Sequence, residues 1–164
     1  LSSQATVRAQ LFYVFNPTVG TGHTFTATQT TSFPVLCVAA FSGAVTSPFD
    51  VENGAAAIAS SLATGSITPS ENDELIISGL ITTSALAVSV DSGMTETNEV
   101  TKTGTNWGGT LAYKIQTTAA AINATWTGGE QASMAVRIAS FKDAAAAGKV
   151  SYQPWYQIAP MVAQ

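Results

Sequence analysis

The chain has 164 residues, enough for one domain with one hydrophobic core. Charged residues make up only 10% of it, where roughly 25% is usual for soluble domains. The net charge of -4 and six scattered Lys and Arg residues argue against a nucleic-acid partner. The single cysteine, Cys37, excludes an intrachain disulfide and a cysteine-based zinc site, and no apolar run reaches the ~20 residues of a membrane span.

Alternation of apolar and polar residues dominates the first quarter of the chain. "ATVRAQLFYVF" (5–15) predicts a strand with Val7, Ala9, Leu11, Tyr13 and Phe15 on one face. After the turn "NPTVGTG", the runs "HTFTAT" (23–28) and "FPVLCVAAFS" (33–42) predict two more strands, the second central, with Cys37 as a small buried residue. We expect these three strands to form a meander.

Residues 43–74 are rich in turn formers, which predicts a long loop between sheets with weak strands near 55–59 and 66–68. Further strands are predicted at 74–83, 85–90, 94–100, 110–117, 122–127 and 132–141. No helical period is found before residue 142. The pattern predicts an all-β fold, an antiparallel β-sandwich of jelly-roll type over residues 1–142, with a linker and an extended C-terminal tail over 143–164.

The tail differs in composition from the rest of the chain. "KDAAAAGK" fits either a short helix or a linker. Beyond it, Pro154 and Pro160 exclude a continuous helix or a central strand. Exposed aromatic groups are costly, so we expect the tail to lie against its own domain or a neighbouring subunit. The predicted assembly contacts are Tyr152, Trp155, Tyr156, Ile158 and Met161.

Five segments resemble a widespread β-sandwich module of phage structural proteins and bacterial surface or secreted proteins. They are "VRAQLFYVFNPTVGTGHTFTAT", "FPVLCVAAFSGAVTSPFDVENGA", "SLATGSITPSENDELIISGL", "LAYKIQTTAAAINATW" and "MAVRIASFK". The resemblance covers most of residues 5–142 and implies a sandwich, an extracellular or virion setting and no catalytic residues. Because further strands usually precede "QLFYV" in such modules, we expect either a processed or partial chain or a sheet completed by another copy.

Residues suited to catalysis are scarce. His23 is the one possible base for a Ser-His-Asp arrangement, and no serine lies in a G-x-S-x-G elbow. Five carboxylates form two acidic clusters in the long predicted loop, where we expect solvated side chains or turn caps. Glycoside hydrolysis and a calcium site are the alternatives for these clusters, formed by Asp50 and Glu52 and by Glu71, Asp73 and Glu74. We assign no catalytic, cofactor or metal residue.

Glycan binding is the main rival interpretation. Trp107 lies in the turn "TNWGG", where it could stack on a sugar or anchor the loop. The predicted hydrogen-bonding partners of a glycan are Asn106, Thr105 and Asn98. Trp126 lies in phase with its strand's apolar residues and is predicted to be core. "NAT" at 123–125 matches a glycosylation sequon, a short motif that is frequent by chance.

These observations predict a non-enzymatic structural or interaction subunit on a virion surface or in another extracellular assembly. Capsid decoration, head fibre, tail-associated protein and secreted fibre subunit all fit this prediction. Its partners would be other copies of itself or neighbouring structural subunits, bound through an open sheet edge and the C-terminal tail. The alternative is a lectin-like module that binds surface glycan through Trp107 and nearby loops.

Overall fold

The computed structural model describes residues 2–4, 7–18, 20, 22, 24–28, 34–83, 88–101 and 108–144. Within these ranges the protein is all-β and antiparallel, without a helix. β1 (Ser2–Gln4) and β2 (Val7–Ala9) form a two-stranded sheet. A six-stranded sheet is formed by β3 (Ala44–Ala63), β4 (Glu74–Thr82), β5 (Ser89–Val90), β6 (Thr95–Thr101), β7 (Gly108–Gln116) and β8 (Thr125–Asp143).

The larger sheet has the strand order β3-β8-β4-β7-β6, and β5 pairs with the first residues of β8. β4 lies in the centre, where it pairs with β7 on one side and β8 on the other. Its sequence "ELIISGLIT" is apolar on both faces because both faces are covered. The predicted strands at 74–83, 94–100 and 110–117 are confirmed as β4, β6 and β7, with ends that differ by one or two residues.

The prediction of a long loop over residues 43–74 is wrong. Most of that segment is β3, the longest strand, which pairs with β8 from Ala44 opposite Asp143 to Ala63 opposite Thr125. Its small residues have weak strand propensity, but pairing along β8 supplies hydrogen bonds that local sequence does not reveal. Pro48 is tolerated because β3 is an edge strand. The predicted weak strand at 66–68 is a single bridge between Ile67 and Ile122.

The two strands predicted at 122–127 and 132–141 are also one continuous strand, β8. The glycines between them suggested a turn, but Gly129, with φ of 78°, lies inside the strand. Opposite it, the register with β3 shifts between Ala59 and Ser61. A β-bulge of this kind bends a strand without ending it, and glycine is suited to the position because it adopts positive φ at little cost.

The predicted meander of the first three strands is not formed. Residues 10–14, 24–28 and 34–39 lack regular structure, and only Val7–Ala9 of the first prediction is a strand. The segment lies over the sheet: Leu11 reaches β4 at Gly79, and Val35 reaches β7 at Gly109. Alternation of apolar and polar residues in this segment is therefore not accompanied by strand pairing.

The core lies on both faces of the six-stranded sheet. On the first, side chains from β4, β7 and β8 form clusters that include Ile76, Leu80, Ala112, Trp126, Met134, Val136 and Ile138. On the other, Val7 and Ala9 of β2 pack against Ala135. The predicted core position of Trp126 is confirmed, since its side chain is fully buried. The tail predicted over 143–164 lies outside the described residues beyond Ala144.

Candidate functional site

Most of the residues predicted for binding lie outside the part of the chain that the structure describes. This holds for Tyr152, Trp155, Tyr156, Ile158 and Met161, for the glycan candidates Thr105, Asn106 and Trp107, and for His23. Asn98 lies in β6 opposite Leu111, although the placement of its side chain is not described. Glycan binding therefore stays a prediction.

The acidic residues are arranged differently from the prediction of solvated loops. Asp50 and Glu52 lie on β3, and Glu74 is the first residue of β4. Asp50 meets the segment before β4: its carboxylate accepts hydrogen bonds from the backbone N–H of Ser70 at 2.7 Å and from the Ser70 hydroxyl at 2.9 Å. The fold thus joins the two acidic groups of the sequence into one cluster.

Glu74 is the buried member of this carboxyl cluster, with no exposed surface. Its Oε1 accepts the backbone N–H of Glu71 at 2.9 Å and lies 3.5 Å from the Ser70 hydroxyl, which also donates to Asp50. Burial raises the pKa of Glu74, and the charge of Asp50 raises it further, against the lowering effect of the Ser140 hydroxyl and the Glu71 N–H. The pKa of Glu74 is thus shifted toward the protonated form.

The pKa of the Asp50 carboxyl shifts in the opposite direction. Burial alone would raise its pKa, but the two hydrogen bonds from Ser70, with those to Glu74 and Lys142, lower it overall. The pKa values of the two adjacent carboxyls thus move apart, as expected when like charges are brought together. Of the two, Glu74 holds its proton to the higher pH.

Lys142 supplies the positive charge of the cluster. Its Nζ lies 3.4 Å from Oδ1 of Asp50 and 3.5 Å from Oε1 of Glu71. Burial opposes the charged form, but these two carboxylates raise the pKa of Lys142 overall. The lysine thus fills the electrostatic role that a calcium ion would have. Within the described ranges, no group of three or more His, Cys, Asp or Glu residues is suited to hold a metal ion.

Glu52 belongs to a separate ion pair. Its carboxylate pairs with the guanidinium of Arg137, a residue of β8 that is almost fully buried. Burial lowers the pKa of Arg137, and the Glu52 carboxylate compensates the buried charge. Asp73, with a positive φ of 63°, lies in the turn that leads into β4. Neither residue adds to the cluster around Asp50.

An exposed apolar surface forms where the N-terminal segment crosses the end of β3 and β8. We call it the aromatic surface and define it as Phe12, Tyr13, Val14, Phe15 and Phe49. Phe12 is 82% exposed, Val14 75% and Tyr13 54%. The Tyr13 ring stacks on Phe49 with 6.1 Å between centroids and meets Phe141 edge-on at 5.4 Å. Tyr13 and Phe15, predicted to share a strand face with Val7 and Ala9, are 54% and 40% exposed, whereas Val7 and Ala9 are buried.

Two strand edges of the six-stranded sheet are unpaired by any described strand. They are the outer edges of β3 and β6, the first and last strands in the order. β3 is long, and its exposed side chains include Ile58, at 61% exposure. Unpaired edges of this length are templates for strand addition. The sequence did not indicate this edge, since the segment was predicted to be a loop.

Three further residues bear on earlier predictions. Cys37 is half-buried, and burial raises the pKa of its thiol to about 11. Tyr113, in the predicted strand 110–117, is half-buried against the Phe41 ring, with 5.4 Å between centroids. Asn123 of the sequon is exposed.

The described strands and loops include no helix of the length and apolar character needed to cross a membrane. No family model, curated protein or solved structure gives a significant match to this chain.

Proposed function

We propose that this protein is a non-enzymatic structural subunit that assembles with other copies of itself. The aromatic surface is the observation that carries this proposal. Large apolar side chains in water are unfavourable by about 25 cal/mol per Å² of exposed area. Contiguous exposed apolar groups on a soluble domain mark an interaction site. Phe12 and Val14 both point outward from a segment whose inward side chain, Leu11, contacts the sheet.

The charge distribution supports the same proposal. No Asp, Glu, Lys or Arg occurs between Arg8 and Asp50, and none occurs after Lys149. The first uncharged stretch contains the aromatic surface, and the second contains the predicted contacts Tyr152, Trp155 and Tyr156. Uncharged surfaces are cheaper to desolvate than charged ones, and depletion of charge is typical of interface cores. Both stretches are therefore suited to contacts between subunits.

The open edge of β3 adds a second mode of contact. Phe49 belongs both to this strand and to the aromatic surface, so a partner bound there would lie beside unpaired backbone groups. Backbone pairing with a neighbour would satisfy them, as in other strand-addition assemblies. The finer architecture that we propose is a jelly-roll sandwich in an extracellular or virion setting, consistent with the resemblance to phage and bacterial surface modules.

The test is the oligomeric state of a Phe12→Ser/Val14→Ser variant, measured by native mass spectrometry over a range of concentrations. Both side chains are mostly exposed, so the fold should be retained. We expect assembly of the parent protein and a shift of the variant toward monomer. The matched control is Val100→Ser, which removes an exposed valine of β6, away from the aromatic surface. A monomeric parent protein, or a variant that assembles like the parent, would contradict the proposal.

The tail's role is tested separately by deleting residues 150–164. We expect a folded domain that has lost its assembly, because the deletion removes the predicted contacts from Tyr152 to Met161. A deletion variant with unchanged assembly would exclude the tail from the interface while leaving the aromatic surface as the candidate.

A further inference from the structure

Three groups from three different strands meet at one end of the sheet, beside the core. Lys142 comes from β8, Asp50 from β3 and Glu74 from β4. Nζ of Lys142 lies 3.4 Å from Oδ1 of Asp50. The Ser70 hydroxyl lies between the two carboxyls, 2.9 Å from Oδ1 of Asp50 and 3.5 Å from Oε1 of Glu74. An amine, a carboxyl group and a buried acid are thus brought close together. They are the components needed to join an amine and a carboxyl with loss of water.

We propose that Lys142 and Asp50 form an intramolecular amide bond, with Glu74 transferring protons in the reaction. The new bond joins Nζ of Lys142 to Cγ of Asp50, and a carboxyl oxygen of Asp50 leaves as water. No oxidant, reductant or cofactor is consumed. The product would tie the edge strand β3 covalently to β8. This inference is independent of the assembly proposed above.

The protons balance within the three groups. The reactants are the Lys142 ammonium, the Asp50 carboxylate and the Glu74 acid. One proton moves from Nζ to Asp50, which leaves a neutral amine beside a neutral carboxyl. After the amine attacks Cγ, Glu74 protonates the departing hydroxyl and takes a proton from the nitrogen. The products are an amide, one water molecule and the Glu74 acid in its original state.

The surroundings of Asp50 favour attack at its carboxyl. Ser70 fixes both oxygens, with its N–H on Oδ2 at 2.7 Å and its hydroxyl on Oδ1 at 2.9 Å. These donors would stabilise the negative charge that develops on oxygen during the attack. Holding the amine next to the carboxyl replaces a bimolecular encounter with an intramolecular one. The Asp50 side chain is only 13% exposed, which limits access of competing water.

Glu74 is the suitable proton-transfer group because its side chain is fully buried and the Ser70 hydroxyl links it to Asp50. Burial and the adjacent Asp50 charge raise its pKa, so Glu74 holds its proton to a higher pH than an ordinary glutamate. Its Oε2 is buried and has no hydrogen-bond partner. Lys142 and Asp50 lie at ion-pair distance, so the first proton passes directly from Nζ to Asp50.

Glu71 is the other carboxylate that could form an amide with Lys142, since its Oε1 lies 3.5 Å from the same Nζ. Its side chain is about half exposed. Only the backbone N–H of Glu71 meets Oε1 of Glu74. The carboxyl of Asp50, in contrast, is linked to Glu74 through the Ser70 hydroxyl. The geometry therefore selects Asp50, and the Glu71→Gln variant provides a matched control.

The experiment is an intact mass measurement of the purified, denatured protein. We expect the mass to be lower than that of the sequence by one water molecule, and a protease digest should contain one branched peptide joining Lys142 to Asp50. Lys142→Arg keeps the positive charge but should have the full mass, whereas Glu71→Gln should still lose water. The full mass for the parent protein, or a branch at Glu71, would overturn the proposal.

The role of Glu74 is measured in the same way. Glu74→Gln is close in shape and should have the full mass, or lose water only over a much longer incubation, while circular dichroism shows the native β spectrum. Rapid loss of water in this variant would exclude Glu74 as the proton-transfer group. If Glu74→Gln does not fold, the parent and the Lys142→Arg variant still decide whether the bond forms.

Discussion

Nε1 of Trp126 donates a hydrogen bond of 2.8 Å to Oγ of Ser78, and both side chains are fully buried. Ser78 in turn donates its hydroxyl proton to the backbone carbonyl of Arg137 at 2.9 Å. One small hydroxyl on β4 thus satisfies the single polar group of the largest core side chain. The indole would otherwise bury its N–H without a partner, which is unfavourable.

We expect Ser78→Ala to lower the free energy of unfolding by about 1–3 kcal/mol, because it leaves the Trp126 N–H buried and unpaired. Urea denaturation followed by tryptophan fluorescence measures the change. Ser61→Ala is the matched control: its exposed hydroxyl contacts Thr127 at 3.2 Å, and its loss should change stability by less than about 0.5 kcal/mol. Equal effects of the two substitutions would contradict a stabilising bond between Trp126 and Ser78.

Gly65 is required both by its backbone conformation and by the space around it. Its φ is +84°, and a Cβ placed there would lie 2.6 Å from Nδ2 of Asn53. That amide is fixed, because it donates to the carbonyl of Ser66 at 3.0 Å while its Oδ1 accepts the N–H of Gly54 at 2.8 Å. The side chain of Asn53 therefore cannot move away without losing these bonds.

We expect Gly65→Ala to destabilise the protein more than Gly22→Ala. Gly22 has a similar φ of +82° with open space around its Cβ position, so its substitution incurs only the conformational cost of about 1–2 kcal/mol. Chemical denaturation measures the loss of unfolding free energy in both variants, and the difference between the two losses is the steric contribution. An Asn53→Ala background should remove the difference, since the clashing amide is gone. Similar costs for the two alanines in the parent protein would show that Asn53 moves aside freely.

The strands that were predicted correctly are those in which burial and pairing coincide. β4 and β7 lie in the sheet with buried residues on both faces, so their apolar runs stand out in the sequence. Only a weak strand at 55–59 was predicted within β3, because an edge strand rich in Ala, Gly and Ser carries little hydrophobic pattern. β8 was divided because Gly128 and Gly129 indicate a turn in isolation, while the partner strand makes them a bulge.

The candidate sites were harder to predict, because they depend on which strand ends meet. The sequence identified Asp50 and Glu74 as acidic residues but placed them in solvent, and Lys142 was not connected with either. Only the pairing of β3 and β4 with opposite sides of β8 brings the three together. Similarly, alternation put Tyr13 in phase with Val7 and Ala9, yet Tyr13 is 54% exposed while the other two are buried.

Asp91 connects the turn between β5 and β6 to the start of β8. Its Oδ1 accepts the backbone N–H of Thr125 at 2.7 Å and the hydroxyl of Ser92 at 2.9 Å. The hydrogen bond from Thr125 is the largest cause of a lowered pKa for Asp91, and the Ser92 hydroxyl lowers it further. A pKa below the unfolded value of 3.8 means that this carboxylate stabilises the fold at higher pH.

We therefore expect Asp91→Asn to be less stable than the parent protein at neutral pH. The difference should shrink as pH falls below 3.8 through the lowered pKa of Asp91, because the parent then loses the same charge. Urea denaturation of both proteins at pH 7 and near pH 3 measures this difference in the free energy of unfolding. The other carboxyls titrate in both proteins and cancel in the comparison. A stability difference that does not change with pH would exclude a role for the Asp91 charge.

The Cys37 thiol should react slowly in the native protein. Burial raises its pKa from 9.0 to about 11, and the thiolate is the reactive form. Two pKa units correspond to about a hundredfold less thiolate at pH 8 than in the unfolded chain. We expect a disulfide reagent to label the folded protein far more slowly than the protein in urea, followed by absorbance of the released thiol. Cys37→Ser should show no labelling in either state. Equal rates for the folded and unfolded parent protein would mean that water reaches the thiol, and would contradict the packing of residues 34–39 over the sheet.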